Sequence, residues 1–242
     1  MEPILTLGAI NLPFFGLSLS LGFVVASFWF FKNAKDKFGD NDQLISFLVT
    51  ISIGWFTGAR LFFFLFNLNK FAAIWHILFP WTYPGLSFIG GILGIISILF
   101  YLDKKKEISL WRISNAATIP LLFYYFAYFS GQFLASGYSL YLILITIIFI
   151  IGLLSFWLER IYRSFTWYPS GKIGFPLLIS QSLFLFIFGG LAFYLPHTLY
   201  LENVGAIIIA IIALIVLYQR SGRENSLRLE EGIQKFKEYF KK

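Results

Sequence analysis

The chain has 242 residues, of which 58% are hydrophobic and only 13% charged, against roughly 25% charged in ordinary soluble domains. So few polar side chains exclude a water-soluble globular domain and leave an integral membrane protein. The absence of cysteine excludes disulfides, thiolate metal sites and a cysteine nucleophile, and the net charge of +7 arises from short basic segments between apolar runs, which membrane topology explains without nucleic acid.

A hydrocarbon core about 30 Å thick requires about 20 apolar helical residues. In chain order such runs fall at 10–31, 44–66, 86–102, 114–133, 140–157, 175–194 and 204–218. Alternate connections carry the basic residues: Lys32, Lys35 and Lys37; then Lys104, Lys105, Lys106 and Arg112; then Arg160, Arg163 and Lys172; then Arg220 and the rest of the tail. Only Arg60, inside the second run, and Lys70 lie elsewhere. Lys and Arg accumulate in cytoplasmic loops. The pattern therefore predicts an all-α integral membrane protein of seven transmembrane helices, N-terminus outside and C-terminus cytoplasmic. Glu2 precedes the first run and the lysines follow it, the reverse of a signal peptide, so no cleavage is expected. Residues 1–218 then form the membrane domain. Residues 219–242 form a basic amphipathic tail, with Leu227, Leu229, Ile233, Phe236 and Phe240 among charged neighbours. Such a helix either rests on anionic headgroups or docks a partner.

Arg60 is the only charged residue well inside a run. An intramembrane charge costs at least ~2.5–3.5 kcal/mol at a helix centre and marks function by default. A lipid phosphate suits its bidentate guanidinium; snorkelling to outer headgroups is the alternative. The segment Tyr83-Pro84-Gly85-Leu86-Ser87-Phe88-Ile89-Gly90-Gly91-Ile92-Leu93-Gly94 opens the third run with a Pro-Gly turn. Its glycines clear one helix face, for another helix or for a headgroup. Gly131-Gln132 carries the same two readings. The fourth run is the most polar, with Asn115, Thr118, Ser130 and Gln132, while Asn67 and Asn69 read as interfacial polar groups. His76 and His197, both in outer loops, read as solvated surface, and no residue set suggests a metal.

Four stretches resemble the prolipoprotein diacylglyceryl transferases of bacterial inner membranes. Gly8-Ala9-Ile10-Asn11-Leu12 with Phe14-Phe15-Gly16-Leu17 is similar to that family's first span. Gly58-Ala59-Arg60 with the phenylalanines after it resembles its second, and Gly85 to Gly94 its motif Gly-Gly-Leu-Ser-Phe-His-Gly-Gly-Leu-Leu-Gly. Asn115 to Pro120 resembles the approach to its signature region, and Tyr168-Pro169-Ser170 is a faint later echo. The resemblance implies a multi-pass inner-membrane protein that moves diacylglycerol from phosphatidylglycerol to a lipobox cysteine thiol, needing neither metal nor soluble cofactor. Its implied partners are a phospholipid and a lipoprotein-precursor signal peptide. The lipid or phosphate site would comprise Arg60, Ser87, Gly90, Gly91, Ser130 and Gln132.

The catalytic residues are not identified. Ile89 stands where the motif has histidine and cannot take a proton, and Phe15 replaces a tyrosine. The stretch from Phe126 to Gly137 lacks the Arg, Asn and Glu of the signature, with Ser130, Gly131 and Gln132 its only echo. No late-span arginine or following acid falls within 204–218. Three readings remain open: a divergent transferase, a non-catalytic relative that binds lipid or a membrane partner in the same cavity, and an unrelated membrane scaffold.

Overall fold

The computed structural model describes residues 3–7, 10–38, 41–71, 75, 77, 85–105, 110–195 and 200–223. The tail beyond residue 223, His76, His197 and the Tyr83-Pro84 turn lie outside the described residues. The fold is helical apart from a short N-terminal hairpin. Strands β1 (Pro3–Leu7) and β2 (Ile10–Pro13) pair antiparallel, Leu7 opposite Ile10. The all-α expectation holds for the bundle, and the hairpin corrects only the start of the first run: residues 10–13 are strand, and helix begins at Phe14, directly after Pro13.

Seven α-helices follow among the described residues: α1 (Phe14–Phe38), α2 (Asn41–Phe66), α3 (Phe88–Lys104), α4 (Leu110–Ser136), α5 (Ser139–Ile161), α6 (Phe175–Leu191) and α7 (Tyr200–Ser221). Each overlaps one of the seven apolar runs. Five of them, α1, α2, α5, α6 and α7, are long and apolar enough to cross a bilayer. Their large exposed side chains, among them Val24, Phe28, Ile53, Phe149 and Leu153, point outward. An apolar exterior of this kind suits hydrocarbon, where backbone polar groups must be satisfied within the helices.

Lipid removes the hydrophobic drive between helices, so close packing of small residues takes over. On α2, Gly54 and Gly58 face Gly90 and Gly94 of α3. A Cβ added at Gly94 would strike the Gly54 carbonyl oxygen, and one at Gly58 would strike that of Gly90. Helices α1 and α4 meet by the same means, with Gly22 against Ala127, Gly131 against Phe15 and Ser18, and the Ser18 hydroxyl donating to the Ala127 carbonyl (2.7 Å). Phe88 centres the aromatic core that joins α3, α4 and α6, touching Tyr125, Tyr128, Phe129, Phe184 and Phe188.

One end of the bundle collects the basic residues. There Phe30 and Phe47 stack at 5.5 Å, Leu102 and Ile113 join the same apolar cluster, and Arg220 ties three elements together. Its guanidinium lies 3.4 Å from the centre of the Trp111 ring, and Nη2 donates to the Ile173 carbonyl (2.8 Å). The Ser170 amide donates to the Ser221 carbonyl (3.1 Å), closing the 165–174 connection onto α7. A cation held flat on an indole contributes about 2 kcal/mol when desolvated. Arg220→Ala should therefore lower stability by about that amount, read as a lower unfolding temperature in detergent; an unchanged temperature would remove the contact from the account.

Candidate functional site

At the end opposite the basic residues, polar side chains from α2, α3, α4 and α7 converge. Arg60 sits in the last two turns of α2 and is 4% exposed. Instead of snorkelling, its guanidinium turns under the α2–α3 connection. Nε donates to the Ile77 carbonyl (2.8 Å) and Nη1 to the Gly85 carbonyl (3.0 Å), while the rings of Phe63 and Phe71 lie 5.7 and 5.6 Å away. Gly85 has φ +146°, a conformation other residues rarely adopt, and its Cα abuts the Phe63 ring.

Ser87, fully buried, caps α3. Its Oγ accepts from the Gly90 amide (3.0 Å), and its own amide donates to the Ala59 carbonyl (3.0 Å). Ser87 is thus anchored one residue from Arg60. Helix N-termini leave amides unsatisfied and favour negative charge. The α3 terminus faces one: Glu202, in the first turn of α7, lies within electrostatic reach of the Ser87 side chain and the Phe88 backbone. Tyr128 packs on the Phe88 ring (5.2 Å) within electrostatic reach of Glu202, and Gln132 stands one turn along α4 from it. Beside Glu202, Asn203 is 2% exposed and its Oδ1 lacks a hydrogen-bond partner.

The six residues singled out from the sequence divide. Arg60, Ser87 and Gln132 belong to this end, Gln132 through Tyr128. Gly90 and Gly91 lie on the α2 seam: a Cβ at Gly90 would meet Phe62 and the Gly58 carbonyl, and one at Gly91 the Trp55 indole. Their bare faces are filled by another helix, the packing alternative of the two. Ser130 is half-buried on α4; Tyr128 and Gln132, four residues apart, share a face from which Ser130 is turned away. Ile89, at the motif-histidine position, is 2% exposed and packs against Gly205 of α7. Asn67 is buried and donates to the Phe63 carbonyl (2.9 Å).

Hydropathy alone places Glu202 outside the seventh apolar run, which begins at residue 204. Helix α7 in fact begins at Tyr200. The signal was present: an acidic residue at a helix start, two residues before an unbroken apolar run.

A cavity of about 450 Å³ runs between the α1–α4 pair and the α2–α3 pair. Its walls include Leu19, Phe23, Ile51, Trp55, Pro120 and Tyr124. It is almost wholly apolar, and the Tyr124 hydroxyl there has no hydrogen-bond partner. Trp55 links it to the glycine face of α3 at Gly91.

The family model described as prolipoprotein diacylglyceryl transferase matches residues 3–228. Among curated proteins, the phosphatidylglycerol–prolipoprotein diacylglyceryl transferase of Serratia proteamaculans is 30% identical over 123 residues, covering 48% of this chain and 42% of that protein. Its namesake from Fusobacterium nucleatum is 31% identical over 130 residues, 50% of this chain and 43% of the relative. That from Geobacter sulfurreducens is 31% identical over 106 residues, 42% and 40%. Each match thus spans less than half the length of the curated relative.

Proposed function

The chain belongs to the prolipoprotein diacylglyceryl transferase family, and on that premise we propose that it transfers diacylglycerol from phosphatidylglycerol to the thiol of a lipobox cysteine in the bacterial inner membrane. The observation that carries this reading is that one bundle holds both a polar end, with Arg60, Ser87, Glu202, Tyr128 and Gln132, and an apolar cavity between helix pairs. A phospholipid needs both: a seat for its phosphate and a lipid-like channel for acyl chain. Arg60, Ser87 and Gln132 are assigned to the headgroup. The cavity walled by Leu19, Phe23 and Ile51 is assigned to an acyl chain.

Purified protein in phosphatidylglycerol membranes should add a diacylglyceryl group to a lipobox peptide, read by mass spectrometry against an active relative run in parallel. No product from this protein beside product from the relative would sink the transferase reading. Ile89, buried where the motif has histidine, favours a second reading, a relative that holds lipid without turnover. That reading expects co-purified phosphatidylglycerol and no released glycerol phosphate.

The proposed topology has seven spans, N-terminus outside and C-terminus in the cytoplasm, with 1–218 as membrane domain and 219–242 as a cytoplasmic tail. It is supported by the basic residues gathered at one end of the bundle. With no native cysteine, single cysteines report sidedness directly. An impermeant maleimide should label Trp75→Cys in spheroplasts and Lys105→Cys only after lysis. The reverse pattern would invert the topology and put the polar end in the cytoplasm.

A further inference from the structure

The proposed transfer requires a group that takes the thiol proton, and Ile89 cannot supply it. We propose that Glu202 is that proton acceptor, a carboxylate delivered by α7 to the mouth of α3. The inference rests on the transferase reading above and adds a catalytic residue to it.

Three observations carry it. First, Glu202 is the carboxylate of the polar end among the described residues, 9% exposed, in the first turn of α7 and beside the Ser87–Phe88 start of α3. A carboxylate offers about four lone-pair sites, so neighbours at the α3 terminus leave oxygen sites for an incoming proton. Second, α7 packs on α3 at the very next turn, where Gly205 meets Ile89. The acid therefore stands about one helical turn along α7 from the side chain at the motif-histidine position. Third, the neighbours suit a displacement reaction. Tyr128 lies within electrostatic reach of the carboxylate, and the Ser87 amide bonded to the Ala59 carbonyl keeps α3 in register with the Arg60 turn.

The step balances with the groups named. The cysteine S–H proton passes to the Glu202 carboxylate as sulfur forms a bond to the glycerol carbon that bears the phosphate. That carbon–oxygen bond breaks, and its electron pair departs on glycerol phosphate. Glu202 then returns the proton to the departing phosphate oxygen or to water. Free cysteine has a pKa near 8.5, so at neutral pH little thiolate exists without a base.

The test compares two nucleophiles in phosphatidylglycerol membranes: a lipobox peptide with its cysteine, and the same peptide with selenocysteine, whose selenol is already ionised at neutral pH and needs no base. Glu202→Gln should lower transfer to the thiol by roughly 10²–10⁴, the span of general-base contributions, and lower transfer to the selenol by a far smaller factor. Glu202→Asp keeps the charge but shortens the reach; it should lose part of its activity on the thiol and little on the selenol. Equal losses on both nucleophiles in both variants would make Glu202 a purely structural cap of α3 and overturn the proposal. So would full thiol activity in Glu202→Gln. If the native protein transfers to neither peptide, the transferase reading fails and the inference with it, an outcome distinct from the other two.

Discussion

Arg60→Ala should abolish diacylglyceryl transfer and lower thermal stability at the same time. Its guanidinium holds two carbonyls of the α2–α3 connection, at Ile77 and Gly85, and lies against the rings of Phe63 and Phe71. Hydrogen bonds from charged donors are worth about 1.5–3 kcal/mol each, and a buried carbonyl left without its donor carries a desolvation cost. A loss of about 3 kcal/mol or more is expected. Gly85 stands two residues before Ser87, so the approach to the α3 cap loosens with it. Arg60→Lys keeps the charge but not the planar fork, which cannot be replaced by a point-like ammonium. It should recover part of the stability and little of the transfer. Differential scanning fluorimetry in detergent and the peptide assay read the two quantities. Wild-type turnover in Arg60→Ala would remove this residue from the site.

Gly94→Ala should cost about 1–3 kcal/mol, the usual penalty for overpacking, although it adds a single methyl. That methyl would collide with the Gly54 carbonyl oxygen and crowd the Gly58 Cα at 3.1 Å. Both obstacles are backbone, so the strain is relieved only by separating α2 from α3. Separation would also stretch the bond from the Ser87 amide to the Ala59 carbonyl. Gly152→Ala in α5 is the control, since a Cβ there meets nothing within 4 Å. Replacing that glycine should leave stability unchanged or raise it by up to about 1 kcal/mol through helix propensity. If the two variants unfold at the same temperature, the α2–α3 glycine contact is not what holds the pair together.

The helix order was legible because a bilayer-crossing helix needs a long apolar run, and five of the described helices are long and apolar enough to cross one. Each of the seven apolar runs contains or overlaps one of the seven helices. Boundaries were less legible, since helix ends extend into polar residues that hydropathy excludes. Helix α4 runs from Leu110 to Ser136, several residues longer than its apolar stretch. The same effect hid Glu202 at the start of α7. At the N-terminus, residues 10–13 open the first run and read as helix, and the hairpin partner at Pro3–Leu7 turns them into strand. Hydropathy carries no information about which of the two an apolar tetrapeptide adopts.

The sequence by itself determined the solvent, the helix order and the family likeness, and it singled out Arg60 as a charge inside an apolar run. Each depends on local composition or on spacing along the chain. Only the tertiary structure decided which bare glycine faces are already filled. Gly90 and Gly91 meet α2, and nothing in their own segment distinguishes a helix from a headgroup as the occupant. It also decided what the Arg60 guanidinium holds and which acid reaches the α3 terminus. Glu202 lies more than a hundred residues beyond Ser87 along the chain. Their contact exists because α7 packs beside α3, and such long-range pairing is a property of the packed bundle, not of either segment.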